Sequence, residues 1–349
     1  MEAIEFKTFA TKGVPIDLVL QWQTISVKQG LHIADDYRWI EIIENCFKKK
    51  VKITCLVDER NNLLAICSWV LTSRILGKKT LVVGPYGGLG GLISNEESQG
   101  LLMEELTRIA AKSKAALVVR SQIFSTSLPD IVSEELVYFE KKIGSENLIE
   151  KMNKKVRYEV KRSHEKEVKS SCSYQREDLD EFSRFFTKSF RQLGTPFPGE
   201  KYIRNLIRVF DENLMMIQLR DAGHELVGLA IVIRTSDNRS HVLHANINES
   251  GQKVSAGYRL YFEIMRISQQ QGIEVVNFGR SIRGSTQADF KRKWRMEEKP
   301  INFLRTQNSS PVFFYCRDNL LSTLATKVWR ALPIHLVVVI GPRVARGIM

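Results

Sequence analysis

The sequence is poor in the residues that build covalent or metal-bound frameworks. Its five cysteines, Cys46, Cys55, Cys67, Cys172 and Cys316, include no CxxC pair. They fall mostly inside apolar runs, so free, buried thiols in a reducing compartment are expected. The six histidines are scattered and carry no metal-binding spacing. His241 and His244 lie three apart in an expected strand, which by strict alternation puts them on opposite faces. No metal is expected. Long hydrophobic runs are missing as well. The longest uncharged apolar stretch, 331–342, falls short of the roughly 20 residues a spanning helix needs and is broken by Pro333 and Gly341. Glu2 and Glu5 stand where a secretory signal would have its apolar core, so a cytoplasmic location is expected. Ser121 and Ser281 have no nucleophile-elbow context, which argues against a serine hydrolase.

What the chain has is positive charge. The net charge is +13 over 349 residues. Such a surface suits a polyanionic partner: nucleic acid, a nucleotide-linked substrate or an anionic membrane surface. The plain alternative is a charge that only keeps the protein soluble. With 43% hydrophobic and 26% charged residues, the chain fits a folded protein long enough for two cores.

The element pattern repeats. A strand at 2–9 is followed by a helix at 15–29 and a second helix that Asp35 and Asp36 can cap. Strands are expected at 51–57, 63–71 and 79–83, then a glycine-rich turn at 84–91, a helix at 95–112, and strands at 117–120 and 137–141. The second half gives strands at 214–219, 225–234 and 241–245, a helix at 255–271 and a strand at 275–278. Meander, turn, helix, strand: the two halves read as a duplicated α/β unit. Between them, 150–169 reads as a helix with an apolar stripe of Met152, Val156 and Val160. Its basic faces include Lys154, Arg157 and Lys161. These can bind phosphate, or the helix can be a solvated linker. Near the C-terminus, Leu320, Leu321, Leu324, Val328 and Leu332 lie on a helix with Arg317, Lys327 and Arg330. Packing on the first domain is expected, and a basic amphipathic contact with a membrane surface is the alternative.

The stretch from Val276 to Trp294 is the most informative. A short apolar strand is broken at Gly279 and followed by Arg280 and Ser281. Gly284 and Ser285 give a loop, and from Gln287 the pattern turns helical, with Phe290 and Trp294 on one face. A strand, a polar loop and a basic helix start can present N–H groups and cations to an anion or a developing oxyanion. The ordinary alternative is a strand-to-helix connection with a solvated basic face.

Phe278-Gly279-Arg280-Ser281, then Phe290-Lys291, then Trp294 resembles the FGRS…FK…W signature of FemAB-like proteins. These are double-domain relatives of the GNAT acyltransferases, and the likeness is nearest to the branch linked to exosortase and exopolysaccharide loci. Leu193 to Pro198 resembles the family's LGTP segment, Asn153 to Tyr158 its basic helix, and Pro85-Tyr86-Gly87-Gly88 its first-domain turn. The sequence departs from the pattern at Arg283-Gly284-Ser285-Thr286 and at Trp294-Arg295.

The resemblance implies an α/β protein of two tandem GNAT-like (acyl-CoA N-acyltransferase-like) domains with mixed, mainly antiparallel sheets. They are expected at 1–150 and 151–310, with 311–349 as a helical segment packing back on the first domain. It implies transfer of an acyl or aminoacyl group to an amine or hydroxyl of a saccharide, nucleotide-linked or cell-envelope precursor. The oligomeric state is left open. In GNAT proteins the cofactor enters where two central strands splay, with its pyrophosphate at the following helix N-terminus. The donor is acyl-CoA or aminoacyl-tRNA. At the helix start Gln252-Lys253-Val254-Ser255-Ala256-Gly257 has Ser255 where a CoA-binding turn has glycine, which weakens a CoA site; the basic surface and the resemblance favour tRNA somewhat more.

By resemblance Lys291 is the catalytic residue, an exposed ammonium near the acyl carbonyl. Arg280 holds a phosphate or carboxylate. Ser281, Gly284, Ser285, Phe290, Trp294, Lys154, Arg157, Lys161 and Tyr86 complete the expected substrate site. No general base is identifiable, since Asp289 would point away from the Phe290 and Trp294 face. A non-catalytic GNAT-shaped binding protein for a nucleotide-linked saccharide or nucleic acid is the competing reading.

Overall fold

The computed structural model describes residues 4–347 apart from 30–31, 74–78, 89, 95, 122–135, 145–146, 151, 174, 237 and 306–319. Cys316 and Arg317 therefore lie outside the described residues. The chain divides into two units, Met1–Tyr138 with Lys299–Pro311, and Phe139–Glu298 with Val312–Ile348.

The first unit begins with β1 (Glu5–Ala10), α1 (Ile16–Gln29) and α2 (Arg38–Phe47). In α2 the residues Trp39, Ile40, Ile43 and Phe47 recur at helical spacing and are all buried. Next come β2 (Val51–Val57), β3 (Leu63–Ser73), β4 (Lys79–Val83), β5 (Leu92–Ser94), α3 (Glu96–Lys112) and β6 (Ala115–Ser121). Leu102, Met103, Leu106 and Ala110 of α3 pack against Leu56, Cys67, Leu81, Leu117 and other inward residues of the sheet. Each such side chain, fully removed from water, contributes about 1.5–3 kcal/mol before entropy is counted.

The chain then enters the second unit through β7 (Leu136–Lys142). There follow α4 (Lys154–Glu165), β8 (Lys169–Ser171), α5 (Asp178–Leu193), α6 (Glu200–Phe210), β9 (Leu214–Arg220), β10 (Leu226–Ser236) and β11 (Arg239–Ile247). The unit continues with α7 (Glu249–Lys253), α8 (Ala256–Gln270), β12 (Val275–Ile282), α9 (Thr286–Lys293) and β13 (Glu297–Pro300). β14 (Asn302–Arg305) belongs to the first unit, and α10 (Leu320–Ala331) and α11 (Ile334–Ala345) to the second.

One sheet runs β1-β2-β3-β4-β6-β14, with β5 on β3, and the other runs β8-β9-β10-β11-β12-β7-β13. The two orders correspond strand for strand through the first five. In each, one internal pair is parallel, β4 with β6 and β11 with β12, among antiparallel neighbours. The duplication expected from the sequence is therefore present in the strand orders, with Lys79–Val83 and His241–Ile247 on corresponding strands.

The boundaries differ from 150 and 310. The sixth strand of the first sheet, β14, follows Glu298 in the chain, and the sixth strand of the second sheet, β7, straddles Tyr138/Phe139. The division therefore falls at Tyr138/Phe139 and Glu298/Lys299. The C-terminal segment also departs from expectation. Both α10 and α11 pack on α5, within the second unit. Trp329 Nε1 donates to Thr195 O at 3.0 Å and Arg191 Nε to Leu332 O at 2.7 Å.

Candidate active site in the second unit

β11 and β12 run parallel over only three paired positions, Arg239–Val275, Ser240–Val276 and His241–Asn277. Beyond them the strands continue to Ile247 and Ile282 without pairing to each other, while β11 stays paired with β10. A bulge marks the parting. On β10, Val232 pairs with Val242 while Ile231 pairs with His244, so Leu243 is the extra residue. The bulge also corrects the expectation for the two histidines. His241 and His244 oppose Ile233 and Ile231, two apart on β10, and so share a face.

One lip of the opening is the turn after Asn277. Gly279 has φ +69, a left-handed value that a residue with a Cβ adopts only under strain. This kink brings three successive carbonyls to one point. Lys291 Nζ donates to Phe278 O at 2.7 Å, Gly279 O at 3.0 Å and Arg280 O at 3.2 Å. Asn277 Oδ1 accepts from Gly279 N at 2.7 Å. The ammonium also lies 5.3 Å from the centre of the Phe139 ring.

Lys291 is thus not the exposed cation the sequence led us to expect, for it is 1% exposed. The cause is the facing of α9. Ala288 and Lys291, three apart, turn inward. Phe290 and Trp294 pack on α8, with Phe290 4.9 Å from Tyr258 and 5.0 Å from Tyr261. Burial, and then the nearby Arg280 guanidinium, push the Lys291 pKa down to about 7. The three carbonyls oppose that shift, because only the ammonium has three protons to give. With all three occupied, the group holds the lip and has no proton left for an oxyanion.

The other lip carries an aromatic cluster around His244. Phe186, Phe190, Phe197 and Tyr202 place their ring centres 5.2–6.2 Å from its imidazole. Tyr202 Oη lies 3.2 Å from His244 Nε2. Burial, and to a lesser degree His241, push the His244 pKa down to about 3, so it is a neutral donor–acceptor at pH 7.

The start of α8 differs from an anion cradle. Ser255, at φ +58, precedes the first residue of α8. Its hydroxyl donates to Glu159 Oε2 at 2.5 Å, so a carboxylate from α4 stands against the N-terminus of α8.

A basic groove lies elsewhere in the unit. Lys141, Glu150, Met152, Asn153, Lys154, Arg157 and Arg295 enclose about 600 Å³. Asn153 ties its walls together. Its Oδ1 caps α4 by accepting from Val156 N at 2.9 Å, and its Nδ2 donates to Lys293 O at 2.5 Å. Of the three cations expected to act together, Lys154 and Arg157 line this groove. Lys161 does not. It is exposed and sits 3.6 Å from Glu165.

The remaining expected site residues separate. Arg280 and Ser281 sit on the Lys291-held lip, Arg280 half-buried and Ser281 buried. Ser285 caps α9, accepting from Ala288 N at 3.2 Å, and Gly284 lies just before it with φ +73. Tyr86 belongs to the first unit, where it stacks on Phe47 at 3.7 Å. Sequence reasoning missed Glu159, His244, Tyr202, Lys141, Asn153 and Arg295. Glu159 had a readable signal, as the single carboxylate in the basic run from Lys154 to His164. Among the described residues no group of three or more His, Cys, Asp or Glu is placed to hold a metal ion.

Residues 150–292 match the family model for an acetyltransferase (GNAT) domain, which places that domain across the splayed strands. No characterised protein matches by sequence. Among solved structures, FemX is similar with a TM-score of 0.61 at 10% identity, covering 85% of this chain and 96% of that one. The C-terminal domain of a protein named as a lysylphosphatidylglycerol synthetase, from Agrobacterium fabrum, gives 0.58 at 14% identity, covering 84% and 93%. A tandem GNAT protein from the clavulanic acid biosynthesis pathway gives 0.55 at 10%, covering 88% and 100%. The fold is therefore that of the tandem GNAT proteins, and residues 150–292 are similar to an acetyltransferase (GNAT) domain.

Proposed function

We propose that this chain, with a GNAT acetyltransferase domain in its second half, takes its acyl group from an aminoacyl-tRNA and not from acyl-CoA. It passes that group to an amine or hydroxyl of a saccharide or cell-envelope precursor, on the cytoplasmic side where charged tRNA is available. The observation that carries the donor assignment is the Glu159 carboxylate on Ser255 at the start of α8. A CoA pyrophosphate would bring like charge to that point, where the helix end is already answered by an anion. The groove of Lys141, Lys154, Arg157 and Arg295 offers phosphates a place instead. Similarity to a domain named for making lysylphosphatidylglycerol, an aminoacyl ester, supports the same chemistry. A link to exosortase and exopolysaccharide loci rests on the sequence resemblance.

In the reaction the acceptor nitrogen or oxygen attacks the aminoacyl ester carbon. The new C–N or C–O bond forms, the ester bond to the ribose oxygen breaks, and the acceptor proton ends on that ribose hydroxyl. Lys291 fixes the lip that Arg280 and Ser281 occupy, and Arg280 orients a phosphate or carboxylate of the acceptor. His244 and Tyr202 supply a neutral polar pair on the facing strand.

Titration with CoA, acetyl-CoA and tRNA at two salt concentrations tests the donor assignment. Saturable tRNA binding is expected, with a salt slope reduced by roughly 1–2 in the Lys154→Ala, Arg157→Ala variant. Glu159→Gln, which keeps shape and loses charge, is expected to admit CoA measurably. Micromolar CoA binding by the parent protein would overturn the assignment.

A further inference from the structure

The second unit carries a surface that acyl transfer leaves unused. The helices α10 and α11 are seated on α5 and the segment after it. Trp329 Nε1 donates to Thr195 O, and Arg330 to Leu193 O at 3.4 Å. Trp329 is the buried one among the described side chains of α10, and Val337, Gly341 and Ala345 are the buried residues of α11. The opposite sides are apolar and bare. Leu324 is 58% exposed, Val328 54% and Val339 61%, with Leu336, Val338 and Val344 also exposed. On a 3.6-residue period Leu324 and Val328 lie roughly 140° and 100° round α10 from Trp329, and Leu336 and Val339 lie opposite the Val337–Ala345 stripe. Among the described residues, these two helices carry nearly half of all exposed large hydrophobic side chains. Such a concentration marks an interaction site and not the scatter normal on a surface.

The charge identifies the partner. Lys327, Arg330, Arg343 and Arg346 accompany the apolar faces, and residues 319–349 contain no Asp or Glu. A second copy of this chain would set these cations against the same cations, in a protein already at +13. A bilayer rich in anionic lipid supplies both complements at once: an apolar phase for the leucines and valines, and headgroup phosphates for basic ends that can reach up to them. Among the described residues no helix is long and apolar enough to cross a membrane, so the fitting geometry is a helix pair lying in the interface. We infer that the outward faces of α10 and α11 dock the second unit on an anionic lipid surface. The inference rests on these helices alone and stands or falls apart from the tRNA assignment.

Vesicle co-sedimentation tests it, with neutral phosphatidylcholine vesicles compared against vesicles containing about one-third phosphatidylglycerol. The parent protein is expected to bind the anionic vesicles and to leave them as salt rises. The Leu324→Asp, Val339→Asp double variant is expected to lose about tenfold or more in partitioning. Both residues are exposed, so its melting temperature should stay with the parent's. Leu20→Asp on α1, as exposed as Leu324 in the parent, is the control and should bind normally. Three results would each overturn the inference. One is equal binding to neutral and anionic vesicles. Another is unchanged binding by the double variant. The third is a parent dimer that the double variant dissolves, which would make the surface a self-association face.

Discussion

Replacing Lys291 by methionine isolates what its ammonium does. Methionine keeps most of the aliphatic volume, so the cavity contribution is small. What disappears is the donor to three carbonyls, Phe278 O, Gly279 O and Arg280 O. Hydrogen bonds to a charged group are each worth about 1.5–3 kcal/mol, and orphaned buried carbonyls cost on the order of 1–3 kcal/mol. Against this, the variant no longer buries a cation, a penalty of several kcal/mol in real proteins. The balance predicts a net loss of about 2–4 kcal/mol at pH 7, or roughly 5–12 °C in melting temperature for a unit of this size. Lys293→Ala, on the exposed side of α9, should change stability by no more than about 0.5 kcal/mol.

The pH dependence sharpens the test. With its folded pKa near 7 against 10.5 in the unfolded chain, Lys291 gives up its proton in the folded state first. Between those values the unfolded state binds more protons, so this group makes stability rise with pH, by at most about 1.4 kcal/mol per unit. Methionine cannot titrate, so the gap between parent and variant should widen from pH 7 to pH 9. Urea unfolding at both values measures it. A Lys291→Met protein melting within about 1 °C of the parent, or a gap that narrows as pH rises, would refute the account of Lys291 as the clamp of this lip.

Two further predictions concern single side chains with two partners each. Asn153→Asp keeps the oxygen that caps α4 but loses the donor to Lys293 O, so it should melt near the parent while weakening anion binding in the groove; Asn153→Ala should also lose about 1 kcal/mol of stability, read by thermal melts beside a tRNA titration. Burial raises the Asp35 pKa to about 7 against 3.8 in the free residue, so between these values the folded state binds more protons and its stability should fall as pH rises; Asp35→Asn should remove that slope, and an unchanged slope from pH 5 to 7 would exclude Asp35 as its source.

The sheets were legible because the burial period of their strands is in the sequence. β2 and β4 coincide with the expected ranges, and α3 with its expected end. By contrast, α5 and α6 were not anticipated, although Leu179, Phe182, Phe186 and Ser189 recur at helical spacing and are buried. The division at Tyr138/Phe139 lies inside β7, where composition carries no mark of it, and so differs from the expected 150. The histidine facing failed for a different reason: a bulge adds one residue and reverses every parity argument beyond it. Lys291 was misread because lysine is so seldom buried that exposure is the sound default. Only the left-handed turn at Gly279 creates three converging acceptors, and that convergence is a property of the backbone.

The two units differ chemically despite their common strand order. In the second, β11 and β12 part after His241, and a lysine from α9 answers the carbonyls that sheet pairing has released. In the first, β4 pairs with β6 in register from Lys79–Ala115 to Val82–Val118 and ends one residue later. The chain then closes on itself: Gly84 N donates to Ser68 O at 2.9 Å, Ser68 N to Gly91 O at 3.1 Å, and Gly91 N to Asp35 Oδ1 at 2.5 Å. A Cβ on either Gly84 or Gly91 would collide with the backbone of the other end, so the loop is shut by design of its residues. Asp35 and Asp36, read from sequence as a pair of caps, divide the work. Asp36 takes Arg38, and Asp35 turns inward to hold this loop. Tyr86 sits on the closed loop against Phe47, with burial holding its phenol well above the usual range, and so has the environment of a packing residue. An opening between parallel strands needs a bulge on one side and a donor for the stranded carbonyls on the other. Among the described strands, those of the second unit have both.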